Sequence, residues 1–565
     1  PGTGQRARVS SGLRSSAWFD GDDEVALAHR VAIRMAGASV EQGTPLPVVM
    51  IVDTSSEFNP CNLPLRALAE DVRRGVADAG GVPLVASAMS LGEDLMKPSA
   101  MLYRNLLSME VEELVRANPV DGLVLLVNCD KTVPGSMLGA ISADVPTIVV
   151  IGGNRPAPVL HGRRLGTGTE LWEALHERRA GRMDDGQWRA FESAYACDPG
   201  TCNTAGTAST MAAVAEALGF VLPGGSSVQA GSDAAREHAE RSGRRIVQLI
   251  AESMTPSRML SAASVRNAAR VVQALGGSTN AVIHLAALGG RAGFPMPPAA
   301  FAAAGIGIPV LADLEPVGRS LMADYDEEGG LPALLHQLGD RIEPSLTVAG
   351  VTLDQTATAP IPPVGRAAVI RDLEHPVAAG PAIRCVTGTL APDGAVIKTA
   401  ASDGRLWRHR GPALVFHDYD EMRARVDDPG LVVTADHVLV LAGCGPVGVP
   451  GMPEWGMIPI PSALAAAGVT DMVRITDARM SGTSFGTVVL HCAPEAAVGG
   501  PLALVEDGDM ISLDVEAGEL TLEVDPAELA ARRARWTAPP TPHLRGWPLL
   551  YREHVEQADR GADLD

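Results

Sequence analysis

The 565-residue sequence has no apolar run long enough to cross a bilayer. Its longest stretches, such as Leu123 to Val127 and Thr147 to Ile151, fall far below the roughly 20 residues that a spanning helix needs. The N-terminus carries no apolar signal core, so the expectation is a cytoplasmic protein without a membrane partner. Basic charge is also scarce: 46 Lys plus Arg stand against 67 Asp plus Glu, a net charge of −21, with no long Lys/Arg-rich run. A phosphate backbone would be repelled, which argues against nucleic acid as a partner. Cysteine is sparse and odd in number, seven in all, and so does not form a disulfide framework. A reducing compartment would leave those thiols free for metal. No fixed-period repeat is visible, and the only strongly polar tail is Gln557 to Asp565.

What is present is a chain 46% hydrophobic and 20% charged, long enough for two or more domains with substantial cores. Between Val48 and Gly153, short apolar runs (Val48 to Val52, Val82 to Ala86, Leu123 to Val127, Thr147 to Ile151) alternate with helical stretches such as Leu63 to Ala77 and Ser99 to Ala117. That alternation predicts parallel strands joined by crossover helices. Residues 207–219 and 232–252 are Ala-rich and helical, and Ser278 to Leu288 reads as a helix after a Gly-Gly turn. The segment Arg371 to Gly380 reads as a linker. Beyond it, Gly394 to Lys398, Ala413 to His417, Leu431 to Val433, His437 to Ala442, Gly486 to His491, Met510 to Val515 and Leu520 to Val524 predict strands between Gly, Pro and Asp turns. The fold class expected is α/β: an N-terminal domain, residues 1–374, with a parallel sheet and flanking helices, and a β-rich, barrel-like C-terminal domain, residues 381–565.

Three cysteines lie in separate turn-rich settings: Asn59-Pro60-Cys61-Asn62, Asn128-Cys129-Asp130-Lys131-Thr132 and Gly200-Thr201-Cys202-Asn203-Thr204. Cys61 and Cys129 fall just after predicted parallel strands, where such sheets bind ligands. Soft thiolates beside carboxylates that suit a hard cation point to an iron-sulfur cluster facing a second metal.

The long motifs are Cys-Asp-Lys-Thr at 129–132, Thr-Ala-Ser-Thr-Met at 207–211, Leu-Gly-Gly-Ser-Thr-Asn-Ala at 275–281 and Asp-Ala-Arg-Met-Ser-Gly-Thr-Ser at 477–484. With stretches from Leu13-Arg14-Ser15-Ser16 to Leu550-Tyr551-Arg552-Glu553-His554, the chain resembles the dihydroxy-acid and sugar-acid dehydratase family over nearly its whole length. The resemblance implies that Cys61, Cys129 and Cys202 hold the cluster, 2Fe-2S in the sugar-acid branch rather than the 4Fe-4S of some branched-chain relatives. It implies a magnesium site of Glu93, Asp130, Lys131 as its carbamate, and Glu454. Ser481 matches the proposed base, and Thr483 is a candidate contact to the substrate carboxylate. The first domain then carries the cysteines and most magnesium ligands, and the second carries Ser481 and Glu454. Family relatives form homodimers that assemble into homotetramers, and the same is expected here.

The chemistry accounts for the residue types. Dehydrating a 2,3-dihydroxy acid removes a proton beside a carboxylate and expels hydroxide from the next carbon. A hard cation stabilises the enolate-like charge, and an open Lewis-acidic iron assists the departing hydroxyl. Serine needs a strongly cationic environment to act as an alkoxide, and a lysine joins a metal site only after losing its charge. The segment from Cys202-Asn203-Thr204 to Thr210, with Glu454-Trp455-Gly456, is similar to pentonate and hexonate dehydratases of the arabinonate and galactonate type. The expected product is a 2-keto-3-deoxy acid. A branched-chain 2,3-dihydroxy-acid dehydratase is the alternative enzyme, and a non-catalytic iron-sulfur redox protein is the alternative of another class. Asn128 stands where the family often has glycine.

Other candidates have plainer readings. Cys197, five residues before Cys202, invites a ligand pair, but the register of the motif favours Cys202. Cys385, Cys444 and Cys492 read as structural, and His284 as a packed core histidine.

Overall fold

Four apolar segments that carry almost no charge form the first sheet: β1 (Val48–Asp53), β2 (Val82–Ser87), β3 (Gly122–Val127) and β4 (Thr147–Ile151). The computed structural model describes residues 12–43, 46–179, 181–357, 368–539 and 545–564; residues 1–11 of the expected first domain and Asp565 of the tail lie outside them. The sheet order is β2-β1-β3-β4 with every pairing parallel. β3 is buried along its whole length, as a strand covered on both faces must be. The helix Leu65–Asp78 joins β1 to β2, Arg104–Ala117 joins β2 to β3, and Thr132–Ala143 joins β3 to β4. Each crossover returns the chain so that β1 and β3 both end at the same edge, where the loops bearing Cys61 and Cys129 begin.

The predicted helices at 207–219, 232–252 and 278–288 appear as Thr207–Ala217, Asp233–Glu252 and Asn280–Arg291. A short hairpin, β5 (Val159–Leu160) with β6 (Arg163–Arg164), and helices Thr169–Arg179 and Asp185–Tyr195 lie between β4 and Cys202.

The second sheet has eight strands: β7 (Arg384–Val386), β8 (Gly394–Ile397), β9 (Arg408–Phe416), β10 (Val438–Leu441), β11 (Arg474–Thr476), β12 (Val488–Ala493), β13 (Met510–Asp514) and β14 (Glu519–Leu522). Their order is β14-β13-β9-β10-β11-β12-β8-β7. The edges nearly meet: Leu520 N–H donates to Thr387 C=O at 2.8 Å, and Thr387 N–H donates to Gly518 C=O at 2.9 Å. The result is a barrel-like sheet filled by Val386, Ile397, Val440, Ile475, Val489 and Leu513. Its centre is parallel from β9 through β12.

One expectation needs correction, and two segments are held in place by contacts that the sequence did not specify. Leu431 to Val433 is not a strand: Leu431 N–H closes a turn onto Asp428 C=O, and Val432 projects into solvent at 86% exposure. The supposed linker is pinned, because Arg371 N–H donates to Leu311 C=O and Val377 N–H to Val310 C=O, both at 2.8 Å. The polar tail is docked: Arg291 clamps Asp563 with two hydrogen bonds of 2.8 Å, and Arg104 donates to the carbonyls of Gly561 and Ala562. Strands β7 and β11 escaped prediction because three residues are too few to show alternation. Among the described residues no helix is long and apolar enough to cross a membrane.

Leu125, fully buried at the centre of β3, tests the sheet. We expect Leu125→Ala to cost about 2–5 kcal/mol, read as a lowered thermal unfolding midpoint.

Candidate active site

The cysteine loops are built by amide side chains. Thr54, directly after β1, donates its hydroxyl to Leu126 C=O at 2.7 Å. Asn62 donates to Thr54 Oγ1 at 2.8 Å, and its carbonyl oxygen accepts the Cys129 N–H at 2.8 Å. Asn128 donates to Cys61 C=O at 2.6 Å and to Gly153 C=O at 2.8 Å, while its oxygen accepts Gly153 N–H. The asparagine that departs from the common family wording is therefore the crosslink between the loops after β1, β3 and β4; a glycine has no side chain to make it.

Cys202 joins from the third side. Arg155 N–H donates to Thr201 C=O at 2.9 Å, and Gly200 N–H to Pro60 C=O at 3.2 Å. Gly200 has φ +140°, and a Cβ there would stand 2.8 Å from the Arg155 nitrogen, so only glycine lets the strands approach. The guanidinium of Arg155 reaches Cys61 Sγ at 3.9 Å and donates to Gly200 C=O at 3.0 Å. Cys129 Sγ donates to Asp130 at 3.4 Å and Cys61 Sγ to Asp94 at 3.9 Å, and the neighbouring Cys61 thiol together with burial holds the Cys129 thiol well above its ordinary range. Burial pushes the Cys202 thiol up to about 12. Cys197 turns away, its thiol donating to Pro156 C=O at 3.7 Å, and Cys444 and Cys492 are buried in apolar surroundings.

One residue on from Asp130, the fully buried Lys131 gathers the oxygen donors. Its ammonium pairs directly with Asp130 and lies 3.7 Å from Glu93 and 3.8 Å from Glu454. Burial works to raise the Asp130 carboxyl, and Lys131 outweighs it, leaving that group below its ordinary range. Burial pushes the Glu454 carboxyl up against the pull of Arg479 and Lys131. Arg479, also fully buried, lies 2.8 Å from Glu454 and 3.8 Å from Glu93, and donates to Ser99 Oγ at 2.9 Å. Ser99 in turn donates to Glu93 at 2.9 Å. Asn280 donates to Glu454 at 2.7 Å, Thr207 Oγ1 at 3.0 Å and Met480 C=O at 3.2 Å.

That last bond ties the cluster to the catalytic candidates. Ser481 Oγ lies 3.0 Å from Thr483 Oγ1, and Trp172 donates its indole N–H to Thr483 Oγ1 at 3.2 Å. The quoted motifs thus converge: 129–132, 207–211, 275–281 and 477–484 all contribute a contact. His284 is a buried core histidine, as read from the sequence, with Nδ1 3.2 Å from Arg104. Arg479 and Asn280 lay inside quoted motifs without an assigned role; the signal available was a larger polar side chain embedded among mostly small residues. Arg155 and Trp172 carried no such signal.

Among the described residues, no three His, Cys, Asp or Glu side chains are already drawn into a metal-ion cage; the carboxylates converge on the Lys131 ammonium instead. The donor chemistry nevertheless fits a hard cation: three carboxylates stand around the two buried cations Lys131 and Arg479, an excess of negative charge, and Glu93 Oε2 is buried without a hydrogen-bond partner. The three cysteines fit a thiolate-bound group, since buried thiols ionise on binding metal.

Two further carboxyls brace the loop leading to Glu454. Asp477 accepts N–H bonds from Gly443, Cys444 and Ala496, and Glu495 accepts from Val447, Gly448 and Gln557. Burial raises Asp477 to about 6 and Glu495 to about 7. The folded chain keeps protons that the unfolded chain releases near pH 4, so this contribution to stability is fully present below that and lost as pH rises through 6 to 7. We expect Glu495→Gln to flatten the fall in unfolding midpoint between about pH 5 and 7, measured by thermal unfolding across a pH series.

Comparison with known proteins agrees with this architecture. Residues 46–356 match the family model "Dihydroxy-acid/6-phosphogluconate dehydratase N-terminal", and residues 368–562 match its C-terminal counterpart. The chain is 47% identical to the 6-deoxy-6-sulfo-D-gluconate dehydratase of Pseudomonas putida and 44% identical to the L-arabonate dehydratase of Azospirillum brasilense, each match covering 98% of this chain and 96% of the relative. It is 37% identical to a dihydroxy-acid dehydratase of Pyrobaculum neutrophilum over 97% of this chain and 98% of that protein. With both halves matched and its relatives covered nearly end to end, the chain belongs to the dihydroxy-acid/6-phosphogluconate dehydratase family.

Proposed function

We propose that this protein is a hydro-lyase acting on a sugar acid, a pentonate or hexonate, and yielding its 2-keto-3-deoxy acid. The observation that carries the reading is the convergence of Glu93, Asp130, Glu454 and Lys131 one residue from Cys129, in a chain 44–47% identical to two sugar-acid dehydratases. Cys61, Cys129 and Cys202 would hold a 2Fe-2S cluster, and Glu93, Asp130, carbamylated Lys131 and Glu454 would hold Mg2+. When bound, the two supply Lewis-acid stabilisation of the substrate carboxylate and of the departing C3 hydroxyl.

The chain's own residues do the rest. Ser481 takes the C2 proton at Oγ. An indole N–H only donates, so Thr483 Oγ1 accepts from Trp172, and its own proton is available to Ser481 Oγ when that oxygen is the acceptor. A serine that accepts a hydrogen bond is favoured in its deprotonated form. Arg479 and Asn280 hold Glu454 at fixed distances, so the oxygen donors do not depend on flexible side chains. A homodimeric or homotetrameric, cytoplasmic enzyme completes the proposal.

The test is an anaerobic keto-acid assay with magnesium, offering pentonates and hexonates beside 2,3-dihydroxyisovalerate. Turnover of a sugar acid is the expected result. Turnover of dihydroxyisovalerate alone would move the protein to the branched-chain reading, and no turnover with an intact cluster would refute dehydration. Ser481→Ala is expected to lose about 10²–10⁴-fold in kcat with the cluster absorbance retained, an outcome that an electron-transfer protein has no reason to give.

A further inference from the structure

Lysine is almost absent from this chain. Of its 46 basic residues only Lys97, Lys131 and Lys398 are lysines, leaving 46 − 3 = 43 arginines. Lys97 is exposed, whereas Lys131 and Lys398 are both 0% exposed. Apart from Lys97, the exposed basic residues among those described are arginines, and each of the two buried lysines places a compact ammonium rather than a broad guanidinium. Lys131 sits among three carboxylates. Lys398 has none within ion-pair reach among the described residues, and burial alone pulls its ammonium down to about 7. An unpaired buried charge is costly, so its presence calls for a negative charge that it meets during function.

The geometry shows where. Lys398 directly follows β8, and its Nζ donates to the Gly482 carbonyl at 3.3 Å. That carbonyl belongs to the peptide unit whose N–H, on Thr483, faces Ser481 Oγ at 3.5 Å. The turn packs closely on the first domain: a Cβ on Gly482 would stand 2.7 Å from the Thr207 nitrogen and 2.8 Å from Ser278 Cβ. A cation on the oxygen of a peptide unit withdraws electrons and makes its N–H a stronger donor.

We propose that Lys398 is a positioning residue of the dehydration, its charge acting through the Gly482–Thr483 peptide to favour the deprotonated form of Ser481. This rests on the proposed function. The test compares wild type, Lys398→Met and Lys398→Gln as cluster- and magnesium-loaded enzymes with the sugar acid that wild type turns over. Both variants are expected to lose at least about tenfold in kcat while KM stays near the wild-type value. The isotope effect of C2-deuterated substrate on kcat should rise as proton abstraction becomes limiting. The unfolding midpoint should hold or increase, because an unpaired buried charge has been removed. Gln keeps an N–H donor for Gly482 without the charge, so wild-type kcat in that variant overturns the proposal. Unfolding of both variants overturns it too, since Lys398 would then be a structural residue. An inactive wild type would instead remove the dehydratase reading on which the comparison depends.

Discussion

The buried charge of Lys131 organises the molecule. An ammonium taken out of water is destabilising unless oxygen donors surround it, and this one collects Asp130 from its own loop, Glu93 from the loop after β2 and Glu454 from the β-rich half. Arg479, also fully buried, adds a second positive charge between Glu454 and Glu93. Two cations against three carboxylates leave a surplus of negative oxygen, which suits a divalent ion more than it suits the bare protein. The same ion group bridges segments hundreds of residues apart, so the two halves meet through charge as well as through apolar contact.

The parallel sheet makes that convergence possible. Helical crossovers bring every strand back in the same direction, so β1, β3 and β4 deliver their following loops to one edge. Asn62 and Asn128 then lock those loops with hydrogen bonds to backbone groups, which fixes the cysteines without using their thiols. The barrel-like sheet contributes from the other side: the turn after β11 supplies Arg479, Ser481 and Thr483, and the end of β8 supplies Lys398. The thiol of Cys129 and the oxygen donors around Lys131 thereby share the Cys129-Asp130-Lys131 segment.

The supporting carboxyls show how stability is divided around this site. Glu216, Asp477 and Glu495 are buried, raised toward neutrality and satisfied by backbone N–H groups, so they hold loops in place at low charge. Asp130 is held the other way, ionised by its lysine. Carboxyls that brace the fold and carboxyls that face the site are therefore separated by their partners, backbone in one case and cationic side chains in the other.

Much of this was legible in the residues. Continuous apolar runs such as Leu123 to Val127 can only be doubly covered strands, and a thiol just after such a run must emerge at the strand's C-terminal edge, because strand direction and side-chain spacing are local properties. The four long motifs named the segments that meet. What the chain order does not encode is which groups touch across 80 residues or more. Arg479 against Glu93, Asn280 against Glu454, Trp172 against Thr483 and Lys398 against Gly482 are decided by packing alone. The same holds for Leu431 to Val433, apolar enough for a strand but lacking a neighbour to pair with, and for the polar tail, which Arg104 and Arg291 draw into the interior. Local pattern determines where a segment can go; only the tertiary structure determines what it finds there, since hydrogen bonds and ion pairs depend on distances that close once the whole chain has folded.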